Sequence, residues 1–292
     1  MKQLILIQLI ILSFFYNLQG QEVYIRPFYS TAAQAFPNFY TTVEMKTIFS
    51  VDTTKYRDIY KSNSFSLGQG KWYGVAAGKY FNNNSEGIEL GLYYFHGTKQ
   101  KLISKDEYEF YPLGAYNYTE ILTEKHYVRS VNLTALYFRQ WNNFPLAPYL
   151  KIGGLLSYVM PTADYDLFVL NTMSGYDPGA VRYFYRYDVN NGFVPGLFTS
   201  AGIELFAKKT FSVTIEGFLS YQTFKPKSMT CIEYTQDNID ALYSLTPSER
   251  EVYFTDTYIS TENENPNRPY QLTRRNHSLS GKGLQIGVKY RL

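Results

Sequence analysis

The chain has 292 residues, 18% charged and 45% hydrophobic, with 30 Tyr and 21 Phe. The first twenty residues carry one charge, Lys2; without them the formal charge falls from +3 to +2, which gives no warrant for a nucleic-acid surface. One cysteine, Cys231, excludes an internal disulfide framework, and no cysteine stands where a lipid anchor would need one.

The N-terminal segment is set apart. Lys2 is followed by an apolar run from Leu4 to Phe15, broken only by Gln8 and Ser13, and then by a polar stretch ending at Gly20. This layout predicts a secretory signal peptide over residues 1–20. The run falls short of the ~20 apolar residues that span a bilayer as a helix. No later segment reaches that length, so any membrane crossing by residues 21–292 must use strands closed on themselves.

Alternation of apolar and polar residues marks the strands. In chain order they are Glu22–Ser30, Lys71–Phe81, Gly87–His96, Tyr127–Gln140, Ala147–Met160, Phe193–Ala207, Phe211–Phe224 and Leu279–Leu292. In the last, Leu284, Ile286, Val288, Tyr290 and Leu292 share one face, and Gln285, Gly287, Lys289 and Arg291 the other. Three connections are short: Asn82–Glu86, Trp141–Leu146 and Lys208–Thr210. Four are long: 31–70, 97–126, 161–192 and 225–278. Short and long alternate strictly, the pattern of a barrel with short periplasmic turns and long extracellular loops. Phe39–Val51 and Ala180–Val189 are also strand-like, which leaves ten strands open or lengthens the hairpins beyond the membrane.

In this layout the chain resembles the small eight-stranded outer-membrane β-barrels of Gram-negative bacteria, of the outer-membrane protein A, X and W type. The alternating last strand looks like the signal read by the barrel-insertion machinery, with Leu292 where family members often end in Phe. The resemblance implies an all-β, antiparallel up-and-down transmembrane barrel in the outer membrane. It would contact outer-membrane lipid and lipopolysaccharide. An eight-stranded barrel is filled by its own side chains, which disfavours an open porin.

In such a barrel the polar faces look inward. They carry Arg26, Glu89, Lys151, Glu204, Glu216, Lys289 and Arg291. Charges in a dry interior must pair. The expectation is a network in which Glu89, Glu204 and Glu216 engage Arg26, Lys151 and Lys289; the alternative places some of them at wet ends. Trp141, Phe144, Tyr94, Tyr158 and Tyr221 fall where interfacial aromatic girdles belong.

There is no Gly-rich phosphate loop, no helical His-Glu-x-x-His and no cysteine pair, so neither cofactor nor metal is expected. His96, His126 and His277 fall at the outer ends of strands, with Ser278 and Ser280 nearby. Thr246-Pro247-Ser248-Glu249 predicts a capped helix start, with Asp237–Leu245 as a candidate helix before it. Glu262–Pro269 reads as a flexible tip, and Asp106, Glu107 and Glu109 beside Lys99, Lys101 and Lys105 as a solvated mixed-charge loop. Three glycosylation-type triplets, beginning at Asn83, Asn117 and Asn276, read as coincidence in a bacterial envelope. The leading expectation is a non-enzymatic barrel whose loops bind an extracellular protein or another surface ligand. The alternatives are a lipid-A-modifying enzyme and a soluble secreted ligand-binding barrel.

Overall fold

The computed structural model describes residues 22–49, 54–81, 85–110, 116–141, 146–172, 179–207, 210–256 and 265–292. The expected signal peptide, most of the three short turns, Phe144 and residues 262–264 lie outside them. The strands are β1 (Val23–Gln34), β2 (Asn38–Phe49), β3 (Thr54–Phe65), β4 (Gly70–Phe81), β5 (Glu86–Gly97), β6 (Gln100–Phe110), β7 (Tyr116–Gln140), β8 (Ala147–Thr172), β9 (Gly179–Asn190) and β10 (Gly192–Leu205). They continue as β11 (Phe211–Phe224), β12 (Ser228–Gln236), β13 (Ile239–Asp240), β14 (Glu251–Thr255), β15 (Tyr270–Thr273), β16 (His277–Ser278) and β17 (Gly281–Arg291). Helical structure among the described residues is confined to a 3-10 turn at Leu242–Ser244 and to α1 (Pro247–Arg250).

The described residues are therefore nearly all β, in one mixed sheet of seventeen strands. This corrects the expected count of eight, and the purely antiparallel pairing. The long connections carry aromatic and β-branched residues of their own, such as Tyr118, Ile121 and Thr123 in β7, and their backbone groups pair with neighbouring strands instead of water. β2 and β6 both run away from the strands that precede them, β1 and β5, and where they meet they are parallel. β14 and β15 are parallel as well. Asp237–Leu245 is helical only in the 3-10 turn at Leu242–Ser244: Asp237 and Asn238 adopt positive φ, the turn geometry these residues tolerate, and link β12 to β13. α1 does begin where expected, with Thr246 as its N-cap, and the Thr246 backbone N–H donates to Glu249 Oε2 at 2.8 Å.

Eight strands have a distinct pairing. In chain order, β1 pairs with β4, β4 with β5, β5 with β7, β7 with β8, β8 with β10, β10 with β11 and β11 with β17, all antiparallel. β17 then pairs with β1, from Tyr24↔Arg291 to Gln34↔Gly281, so the path returns to its start. β2 and β9 lie outside this ring. With β3, β6, β12, β14, β15 and the far halves of β7 and β8 they form a second wall in the order β3-β2-β6-β7-β8-β9-β12-β14-β15.

Burial alternates along every ring strand. In β1, Tyr24, Arg26, Phe28, Ser30 and Ala32 are buried while Ile25, Pro27, Tyr29, Thr31 and Ala33 are exposed. In β17, Gln285, Gly287 and Lys289 are buried between exposed Leu284, Ile286, Val288 and Tyr290. Buried side chains from strands that are not neighbours touch one another, so they occupy the space the ring encloses. That space is layered. Tyr24, Tyr80 and Phe138 form one ring cluster near the short-turn end. Above a layer of charged residues, Phe28, Trp72, Tyr93, Phe95, Phe198 and Phe218 form a second.

The charged layer needs a close approach at Gly78. A Cβ at Gly78 would stand 2.1 Å from the Tyr24 ring. Tyr24 cannot retreat, because its hydroxyl donates to Glu89 at 2.7 Å and its ring packs on Tyr80 and Phe138. Gly78→Ala is expected to destabilise the fold by about 1–3 kcal/mol through overpacking. Guanidinium unfolding of the folded protein measures this, and a midpoint equal to wild type would contradict the layering.

Candidate functional site

Two side-chain assemblies stand out, one inside the ring and one at its far end. The interior assembly joins all six charged residues expected to pair. Arg26 reaches from β1 to Glu89 on β5 at 2.7 Å and to Glu216 on β11 at 2.8 Å. Lys151 on β8 approaches the same two carboxylates at 3.0 and 3.1 Å. Lys289 on β17 meets Glu204 on β10 at 2.6 Å, and Arg291 also binds Glu204. All but Arg291 are buried.

Sequence reasoning missed the neutral half of this assembly. Tyr24 and Ser200 donate to Glu89 and Glu216, and Gln285 donates to Glu216. Ser212 and Gln140 donate to Glu204, and Lys289 donates to the Tyr80 hydroxyl, which in turn donates to Gln140. Glu22 approaches Arg291 at 3.7 Å from the edge. Strand parity was the available signal, since Tyr24, Gln285 and Ser212 alternate in phase with Arg26, Lys289 and Glu216. Each buried carboxylate thus has at least one cation and one neutral donor, which offsets the loss of its hydration.

Glu216→Ala would leave Arg26 and Lys151 sharing one remaining carboxylate. The expected loss is about 3–5 kcal/mol, the range for breaking a buried pair. Removing the exposed partner in the Lys99–Asp164 pair by Lys99→Ala is expected to change stability by less than about 1 kcal/mol. Thermal melting of both variants checks the contrast, and equal melting temperatures would count against a stabilising interior network.

The second assembly is a cavity of about 700 Å³ where the ring meets the second wall. Its apolar surface includes Leu67, Leu102, Phe224, Met229, Phe254 and Leu272, drawn from segments scattered over most of the chain. Leu67, Leu102 and Phe224 also belong to the buried core below. Polar groups at the cavity include Ser104, Asp106, Glu124, His126, Arg275 and His277. His126 Nε2 and Glu124 Oε2 are 3.0 Å apart on β7, and the His126 ring meets Tyr165 edge-on at 6.0 Å. Tyr165 continues into a wall of Tyr187, Tyr185 and Tyr234.

His126 and His277 therefore share one cavity. His96 does not: it sits on the exposed face of β5, two positions beyond exposed Tyr94. Ser278 and Ser280 are buried, and their hydroxyls contact Ser66 Oγ and the Gln222 backbone carbonyl. Cys231 is buried on β12, and burial pushes its thiol pKa up. In the acidic and basic segment around β6, Lys105 pairs with Glu107 and Lys99 with Asp164. Among the described residues no group of three His, Cys, Asp or Glu side chains is arranged to hold a metal ion.

His277 lies flat against Phe224 at 5.2 Å. Burial pushes its imidazole pKa down to about 4, with further contributions from His126 and Arg275. The folded state thus takes up this proton less readily than the unfolded state, whose His titrates near 6.5. Stability should fall as pH drops from about 6.5 toward 4, because the unfolded state binds the proton first. Protection against hydrogen exchange at β16, taken relative to the intrinsic rate at each pH, is expected to fall over that window, and His277→Gln to remove much of the fall. An identical pH response in the variant would assign it elsewhere.

No protein-family model matches the chain, and no curated protein matches it.

Proposed function

We propose that the eight mutually paired strands form a transmembrane β-barrel of the bacterial outer membrane, reached after removal of residues 1–20. In this reading the barrel is a non-enzymatic anchor that holds the second wall outside the cell for contact with a surface or envelope partner.

The observation that carries it is the apolar exposed face of the ring. Val131, Leu133, Leu150, Ile152, Leu156, Leu197, Ile215 and Ile286 are all at least 40% exposed. They come from five strands and sit back to back with the buried ion pairs. In water this would be one continuous apolar belt, far larger than the few hundred Å² a monomer tolerates. Against acyl chains it is the favourable arrangement, and the charges belong inside.

The belt has fitting margins. Exposed Tyr73, Tyr94, Tyr158 and Tyr221 lie toward the second wall, and Trp141, Phe211 and Tyr290 toward the short turns. On β7 the outward-facing apolar run is bracketed by exposed Arg129 and Arg139, a span close to the ~9–11 residues of a tilted transmembrane strand. β7 and β8 have 25 and 26 residues, so about 80 Å of strand would project well beyond the ~30 Å hydrocarbon layer. No described helix is long and apolar enough to cross a membrane, which says nothing against strands.

The test has two arms. The full chain should appear in the outer-membrane fraction and migrate anomalously on gels until boiled. Leu133→Arg, at mid-belt, should destabilise the form folded into lipid vesicles by about 2–4 kcal/mol. Recovery of the native protein in buffer without detergent, or an unaffected Leu133→Arg variant, would overturn the reading.

A further inference from the structure

We infer that the cavity at the junction of ring and second wall is a binding site for an amphipathic small-molecule anion, whose apolar body rests on Leu102, Phe224, Met229 and Leu272 and whose acidic head pairs with Arg275. The inference rests on the proposed barrel only in taking the ligand from outside the cell.

The volume comes first. At about 700 Å³ the cavity falls within the ~300–1,000 Å³ of small-molecule sites. Its lining has the matching character, mostly aliphatic and aromatic with a few polar groups. Leu102, Phe224, Met229, Phe254 and Leu272 come from β6, β11, β12, β14 and β15, so the pocket exists only once the second wall has assembled on the ring.

The sign of the head follows from how each ionisable lining group is already engaged. Glu124 faces His126 at 3.0 Å. Asp106 lies directly across from Glu120 and accepts a hydrogen bond from the Met45 backbone, while desolvation and the Glu120 carboxylate raise its pKa. His277 is held neutral by burial against Phe224. Arg275 remains. It is exposed at the cavity edge, and no ion pair joins it to another described residue. Its guanidinium offers a planar pair of donors to a carboxylate, sulfonate or phosphate. The neighbouring Arg274 is committed to Asp256 at 3.4 Å and to the Phe254 carbonyl at 2.9 Å.

The experiment uses the full chain in lipid nanodiscs and three water-soluble probes of one shape: 2-naphthoate, the neutral 2-naphthalenemethanol and the cationic 2-naphthylmethylammonium. Titration calorimetry against empty nanodiscs removes the lipid contribution. The naphthoate should bind at least tenfold tighter than the other two. Arg275→Gln, a change at an exposed position, should erase that preference, and Ser104→Trp, which fills the cavity, should weaken all three probes. Preference for the ammonium probe, or naphthoate binding unchanged in Arg275→Gln, would overturn the assignment, as would no binding of any probe to wild type. The gel shift on boiling, read on the same samples, reports on the barrel independently, so failure of the pocket and failure of the membrane reading are told apart.

Discussion

The return of β17 to β1 is the constraint on which the rest of the structure depends. An open eight-strand sheet would present two rows of unpaired backbone N–H and C=O groups. With β1 bonded to β4 on one side and β17 on the other, the ring has no first or last strand. Only then can one face of every strand be apolar and exposed while the other is enclosed. A slip of one residue at the closing pair would turn Arg26 or Lys289 outward and Ile25 or Val288 inward, so the register of that pair and the placement of the charges are the same fact.

The enclosed space accepts charge because charge of both signs arrives there together. Arg26, Lys151 and Lys289 come from three different strands and meet Glu89, Glu204 and Glu216 from three others. Rings close the space above and below, with Tyr24, Tyr80 and Phe138 on one side and Phe28, Trp72, Phe198 and Phe218 on the other. A filled, paired interior is suited to holding the ring rigid and ill suited to passing solutes. In the proposed reading the chemistry therefore lies at the mouth, where the wall widens, the packing loosens into a cavity and ionisable groups stand beside aliphatic ones.

The second wall extends the same pairing logic outward. β7 and β8 run without interruption from the ring into the wall, paired from Gln140↔Tyr149 to Asn117↔Thr172. Beyond the ring their neighbours change: β5 gives way to β6 beside β7, and β10 gives way to β9 beside β8. Residues that read as polar loop are thus held in strands, with tyrosines stacked on one face and the Arg186–Asp164 and Arg182–Asp166 pairs on the other.

The sequence by itself determined the parity of the ring strands. Alternation in Leu284–Leu292 and Phe211–Phe224 reappears as burial, because a strand with two unlike faces has only one way to sit between an apolar and an enclosed environment. It also determined which charged residues share the inner face. Tertiary structure decided what no local pattern encodes. The seventeen-strand total, the parallel β2–β6 pair and the extension of β7 back to Tyr116 arise because polar segments satisfy their backbones by pairing with strands distant in sequence. Tyr24, Tyr80 and Gln140 joined the ion pairs because three-dimensional proximity placed their polar atoms against carboxylates 64 or 65 residues away in the cases of Gln140 and Tyr24. The union of Leu67, His126 and His277 around one cavity likewise required the closed ring, since residues that far apart along the chain can meet only where the fold brings their strands side by side.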